Sequence, residues 1–438
     1  MTPPVDPKER YLAEFRRFAG NGAGAAPAWL EELRQAAIER FAAVGFPTTR
    51  LEEWRFTDVA PVTQTPFTLP ASRKPKVSAD GVENILGGAT GTRLVFVDGA
   101  FRPELSITKG LPSGVTVGSL SDALRRDGDV LAGHLGKYAG IERNPFTALS
   151  TAFLRDGAFV HVGRGVSVEQ PIHLVFLASG AAGGHVVHPR TLVVVDREAQ
   201  ATVVETYAGL GDAQYLSNAV TEFVLEEGAA ARHVRIQRES TNAFHMATSQ
   251  SYQGKDSRFS SCSLAFGAGL SRHDLTSVLN GAGAELLLNG LSVLAGGQHV
   301  DYHTTIDHAQ PHCESHELFN GILADHARGV FNGRIIVRPG AQQTDSKQTN
   351  NNVLLSETAR ADSQPQLEIY ADDVKCTHGA TIGPLDPNAL FYLKTRGVGA
   401  EAAAQLLTYG FAADVVSRID PPDIRERLDR LVRARLAA

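Results

Sequence analysis

Between about Phe159 and Tyr370 the chain repeats short β-branched runs and never inserts an amphipathic helix of 10 or more residues. The runs His173–Leu177, Thr191–Val195, Thr202–Val204 and Phe223–Leu225 alternate with small or polar breaks. A doubly wound sheet needs a helix between consecutive parallel strands, so that architecture does not fit. The breaks recur. Ala199, Ala229, Ser257 and Ala284 stand 30, 28 and 27 residues apart, and Glu314, Arg328 and Gln342 stand 14 apart. Strands returning at a near-constant interval suit a solenoid, in which each coil buries its face on the next. The polar run Gln342–Asn352 suits stacked turns, where amide side chains form ladders along the axis. A β-sandwich is the other arrangement the pattern allows.

The flanks read as helix. Tyr11, Leu12, Phe15 and Phe18 share one helical face, and a Gly/Ala-rich joint covers Gly20 to Ala26. Pro27 opens a second helix with Leu30, Leu33, Ala37 and Phe41 on its apolar stripe, stopped by Gly45 and Pro47. The stretch Pro61 to Pro75 reads as irregular, and Arg93–Arg102 as a strand pair around the turn signal Asp98-Gly99. After about Gly383 helix returns. Asn388–Arg396 is closed by Gly397, Ala400–Tyr409 ends at Gly410, and Pro421-Pro422-Asp423 opens a last helix with Ile424, Leu428, Leu431 and Val432 on its apolar face. These terminal helices cap the solenoid or present a docking surface. The expected organisation is an N-terminal region over 1–145, a β core over 146–384 and a C-terminal helical region over 385–438.

Composition narrows the function. The net charge of −6 over 438 residues brings no basic stripe, so nucleic acid is not an expected partner. The N-terminus lacks an apolar signal region, and no run of about 20 apolar residues is present, so no membrane association is expected. Cys262, Cys313 and Cys376 form no CxxC pair and read as reduced thiols of a cytoplasmic protein. No GxxxxGK[ST], GxSxG or HExxH motif occurs, and no GxGxxG follows a strand. Five histidines (His299, His303, His308, His312 and His316) lie beside Cys313, a ligand set suited to zinc or iron. Their spacing puts His299 and His303 on one strand face and His308 on the other, which argues for structural roles while leaving a metal role open. Cys376-Thr-His378 is sharper: two residues apart on an extended chain, thiol and imidazole share a face and together suit transient iron or sulfide. The other reading of that pair is a buried cysteine with no chemistry. Asp372-Asp373 point to opposite faces and make a poor glycosidase pair.

The runs Gly296–Asp301, Val330–Gly333, Thr344–Leu355, Pro365–Thr381 and Leu390–Gly397 resemble the SufB/SufD family of iron–sulfur cluster assembly proteins. The box Gly45–Asp58 and the run Lys375-Cys-Thr-His-Gly-Ala380 are closer to its SufD branch than to SufB. The resemblance implies a mainly β fold: a right-handed parallel β-helix core flanked by N-terminal and C-terminal helical regions. It implies a scaffold subunit, not an enzyme, within a SufB–SufC–SufD complex whose ATPase is SufC. It further implies strand pairing between the end of the β-helix and SufB, with docking of the C-terminal helices on SufC. His378, with Cys376, would sit where the nascent cluster forms. Leu390, Phe391, Tyr392, Arg396, Leu406, Leu407, Tyr409 and Phe411 are the candidates for the ATPase contact. No permanently bound cofactor is implied, only transient iron or an iron–sulfur cluster at the SufB interface; for the isolated chain a homodimer is the further arrangement. A purely structural subunit and a β-helix carbohydrate enzyme are the competing readings.

Overall fold

The computed structural model describes residues 6–20, 26–70, 77–180 and 183–437. The short strands fall alternately into two ten-stranded sheets, and each pair of consecutive strands makes one coil of a parallel β-solenoid of about eight turns. Every pairing between named strands from Ile172 onward is parallel, which rules out the sandwich. The recurrent breaks are corners. Ala199, Ala229, Ser257 and Ala284 are all fully buried where the chain folds over its previous rung. Their carbonyls accept from Ala230, Arg258, Glu285 and Glu314 of the following coil at 2.8–3.0 Å. Rungs stack roughly 4.8 Å apart, so an inward corner position takes only a small side chain. Glu314 and Arg328 each begin a strand, one in each sheet, which accounts for the half-period of 14.

Alternation along each strand separates lumen from exterior. Val203, Tyr207, Phe259, Leu288, Phe319 and Ile335 point inward into one continuous core. The outward face is apolar wherever a helix covers it. Tyr11, Phe15, Phe41 and Trp54 pack with Phe146 and Leu149 over Leu216, Phe244 and Met246 of one sheet. Ala412, Val415, Val416, Ile424, Leu428 and Val432 cover Val234, Leu264, Leu291 and Ile322 of the other. Cys262 belongs to this second layer, and burial pushes its thiol up to about 12. Among the described residues no helix is long and apolar enough to cross a membrane.

Several local expectations change. The second helix, Ala28–Val44, buries Arg34 and Ile38 beside Leu30, Ala37 and Phe41, while Leu33 is only half-buried. Arg34 fits inside because its guanidinium Nε donates to the Leu154 carbonyl at 2.8 Å. A short helix, Ala60–Gln64, occupies the start of the stretch expected to be irregular; 71–75 lie outside the described residues, as does the joint at 21–25. The strand pair at 92–101 turns through Asp98 and Gly99, both left-handed, and its strand Thr92–Val97 pairs in parallel with Ile172–Ala178, extending a solenoid sheet. Gly410 does not end its helix, which runs unbroken as Ala400–Val416. A mid-helix glycine costs only about 1 kcal/mol, and burial of Ala412, Val415 and Val416 outweighs it.

Candidate functional site

The last coil consists of Arg360–Ile369 and Val374–Gly383. Each strand pairs on one side only, with Arg328–Val337 and Thr344–Leu354 respectively, so among the described residues the other edge of each carries unpaired backbone groups. Ile369, Tyr370 and Ile382 are exposed there by 40%, 61% and 47%, an apolar load that an isolated solenoid end has no use for.

Parallel register continues the lumen columns onto this coil. Cys376 stacks on Ser346 and then Ser315; His378 stacks on Gln348 and then Glu317. The two candidates therefore lie on the same inward-directed face at the open end. Cys376 is half-buried and packs against the core, while His378 is exposed. A chain of polar contacts supports Cys376 from below: His308 Nε2 and Ser315 Oγ lie 2.9 Å apart, and the hydroxyls of Ser315 and Ser346 lie 2.7 Å apart. Beneath His378, Gln348 Nε2 donates to Glu317 Oε2 at 2.7 Å. Gly333 makes room for this amide, since a β-carbon there would overlap Gln348 Nε2. The ladder expected of the polar run exists. Asn351 donates to Asn320 on the rung before and accepts from Thr381 on the rung after, at 3.3 and 2.7 Å.

Burial first, and the neighbouring Asp345 charge second, raise the Cys376 thiol. The chain alone thus disfavours the thiolate.

The five histidines scatter. His299 and His303 face outward on His299–His308, whereas His308 faces the lumen, where burial pushes it down to about 4. His312 occupies a left-handed corner, Cys313 is buried at the same corner, and His316 is exposed on the next strand. Among the described residues no three His, Cys, Asp or Glu side chains converge on a metal position. Instead, His299 and Asp301 contact Thr57 at 2.9 and 2.6 Å, and Arg272 bridges Asp301 at 3.1 Å while lying 3.7 Å over the Trp54 ring. Burial alone would raise the Asp301 carboxyl, but His303, Arg272 and Thr57 together hold it well below the usual carboxylate range. The Gly296–Asp301 motif and the Gly45–Asp58 box are thus two halves of one contact, a link that separate motifs do not reveal.

The candidate docking residues divide. Phe391, Tyr392 and Leu406 are exposed by 69%, 57% and 54%; Arg396 is also exposed and lies 5.2 Å over the Tyr392 ring. Leu390 lines an apolar cleft of about 420 Å³ with Leu354, Leu355 and Leu385. Leu407 is half-buried. Tyr409 and Phe411 are engaged within the helical layer: Tyr409 donates to Asp429 at 2.5 Å, and Phe411 packs on the apolar cluster. Ser346, Gln348 and Glu317 escaped the reading of the sequence; the available signal was the coil length, about thirty residues back from each candidate.

Comparison with known proteins agrees along most of the chain. A profile for the SufBD protein N-terminal region matches residues 5–174, and one for the SufBD core domain of the SUF system for FeS cluster assembly matches 176–411. A SufBD family iron–sulfur cluster assembly protein of Synechocystis is 37% identical over 412 residues, covering 92% of this chain and 90% of the relative. The iron–sulfur cluster assembly protein SufD of Escherichia coli is 31% identical over 397 residues, covering 90% of both. A chloroplastic protein of Arabidopsis thaliana, ABCI7, is 28% identical over 437 residues, covering 96% of this chain and 89% of its own. With matches reaching from the helical front through the open last coil, this chain belongs to the SufBD family and has a role in iron–sulfur cluster assembly.

Proposed function

We propose that this chain is the SufD-like, non-ATPase subunit of a cytoplasmic assembly complex. Its last coil pairs with a SufB-like subunit by strand addition, and its C-terminal helices dock a SufC-like ATPase. Iron or sulfide is cargo at the seam, received by His378 with Cys376. One observation carries this reading: the solenoid ends in two strands with bare edges, and the thiol and imidazole share the inward face of that last rung. Continued stacking would bury Ile369, Tyr370 and Ile382 and bring new groups against the half-buried Cys376 thiol. ATP acts on the seam only if the closed ATPase favours one arrangement of the helices over another.

Two measurements test it. The chain should co-purify with its SufB-like and SufC-like partners; failure to bind either removes the complex. His378→Ala in an intact complex should reduce cluster yield, and an unchanged yield removes His378 from the chemistry.

A second reading, a subunit that only stabilises its partners, draws support from the unactivated Cys376 thiol. Normal cluster formation by a Cys376→Ala/His378→Ala double variant would favour it.

A further inference from the structure

Most buried carboxyls of the solenoid strands have a cationic or histidine partner. Glu205 lies 3.3 Å from His233, Glu222 takes an ion pair from Arg190 at 2.5 Å, and Glu239 is bonded to His245 and Ser217. Glu317 differs. Its Oε2 accepts from Gln348 and the Thr304 hydroxyl faces the carboxyl as its other polar neighbour, while Oε1 and the Gln348 amide oxygen are buried without a hydrogen-bond partner. Around it stand Ser315 and Phe319 on its own strand, Leu288 and Gln348 on the flanking rungs, and Tyr302, Thr304 and His308 across the lumen. None is charged: burial raises the Tyr302 phenol and keeps His308 neutral. No cation stands against an ionised Glu317, whereas protonation removes that uncompensated charge and turns one acceptor into a donor where the Gln348 amide oxygen has no hydrogen-bond partner. Burial, only partly offset by Thr304 and Gln348, raises its carboxyl to about 7. Gln348 separates it from His378 in one lumen column.

We propose that Glu317 holds a proton inside the solenoid and releases it when positive charge gathers on the terminal rung. The inference rests, for its use in cluster assembly, on the reading that His378 and Cys376 receive iron. The proton leaves the carboxyl oxygen for solvent at the open end, and the carboxylate left behind offsets part of the arriving cation's charge. Two rungs span roughly 10 Å. At an effective dielectric of about 20, one unit charge at that range lowers the carboxyl by about one pH unit.

The test needs no iron. Infrared difference spectra of the full chain, with Glu317→Gln as the blank, report the protonated carboxyl directly. The band should titrate with a midpoint near 7, and His378→Lys, which fixes a cation on the rung, should move that midpoint down by about one unit. Titration in the ordinary carboxylate range, or a midpoint that ignores the lysine, overturns the proposal. Should Glu317→Gln fail to fold, carbon-13 labelling of glutamate in the otherwise unmodified chain, with and without His378→Lys, gives the same two readouts. If the titration holds while His378→Ala leaves cluster yield intact, the proton site stands and the cargo-receiving role falls.

Discussion

Replacing Asp301 with Ala should release the N-terminal box from the solenoid. The carboxyl is 1% exposed and binds Thr57 at 2.6 Å, Arg272 at 3.1 Å and His303 at 3.1 Å. Breaking a buried ion pair costs about 3–5 kcal/mol. Arg272 keeps Asp274, which it contacts at 2.8 and 3.0 Å, so the lower end applies, about 3 kcal/mol. That corresponds to a change on the order of a hundredfold in the opening equilibrium of the box. Hydrogen exchange reads it directly. The amides of Trp54, Arg55 and Thr57, which bond to Leu51, Glu52 and Trp54, should lose protection by about that factor. Those of Arg328–Val337 should not change. Thr57→Val, which removes the hydroxyl's contacts to Asp301 and His299, should cost less, about 2 kcal/mol. The carboxyl is depressed in the folded chain, so its contribution is fully present above the unfolded value of about 3.9 and fades as pH falls toward the lower folded value. Protection that drops less than threefold in Asp301→Ala, or a Thr57→Val effect as large, would refute the reasoning.

Gly333→Ala should destabilise the chain by about 1–3 kcal/mol through the overlap with Gln348. Gly340→Ala, with open space around it, should leave the denaturant midpoint unchanged. Of the three thiols, Cys376 should be alkylated first in the folded chain, and Cys262, sealed under the C-terminal helices, only on unfolding; mass spectrometry of timed samples decides. Ile382→Asp on the bare edge should abolish pull-down of the SufB-like partner while leaving the melting temperature of the isolated chain within a degree or two, because the side chain is already 47% exposed.

The solenoid was legible because its signal is local: β-branched runs, small corners and a near-constant interval. The placing of Cys376 and His378 on one face was legible for the same reason, since strand alternation needs only two residues of chain. What lies beneath them was not. Coil lengths vary with their corners, so which residue stacks under His378 depends on the lengths of the intervening turns, and Gln348 and Glu317 appear only once register is known. The anchoring of Trp54 and Thr57 on Arg272 and Asp301 joins residues more than 200 positions apart, and no local pattern encodes it. The burial of Arg34 has no local signal either, because the carbonyl that satisfies it belongs to Leu154, 120 positions away.

The bare final rung also bears on how much of this protein a cell can tolerate. A chain whose last rung stays uncapped would carry two unsatisfied strand edges and an uncovered Ile369–Tyr370–Ile382 surface into a crowded solution. Uncapped copies would pair with one another or clump, so limited synthesis or rapid removal of uncapped chains is a demand written into the geometry of that one exposed edge.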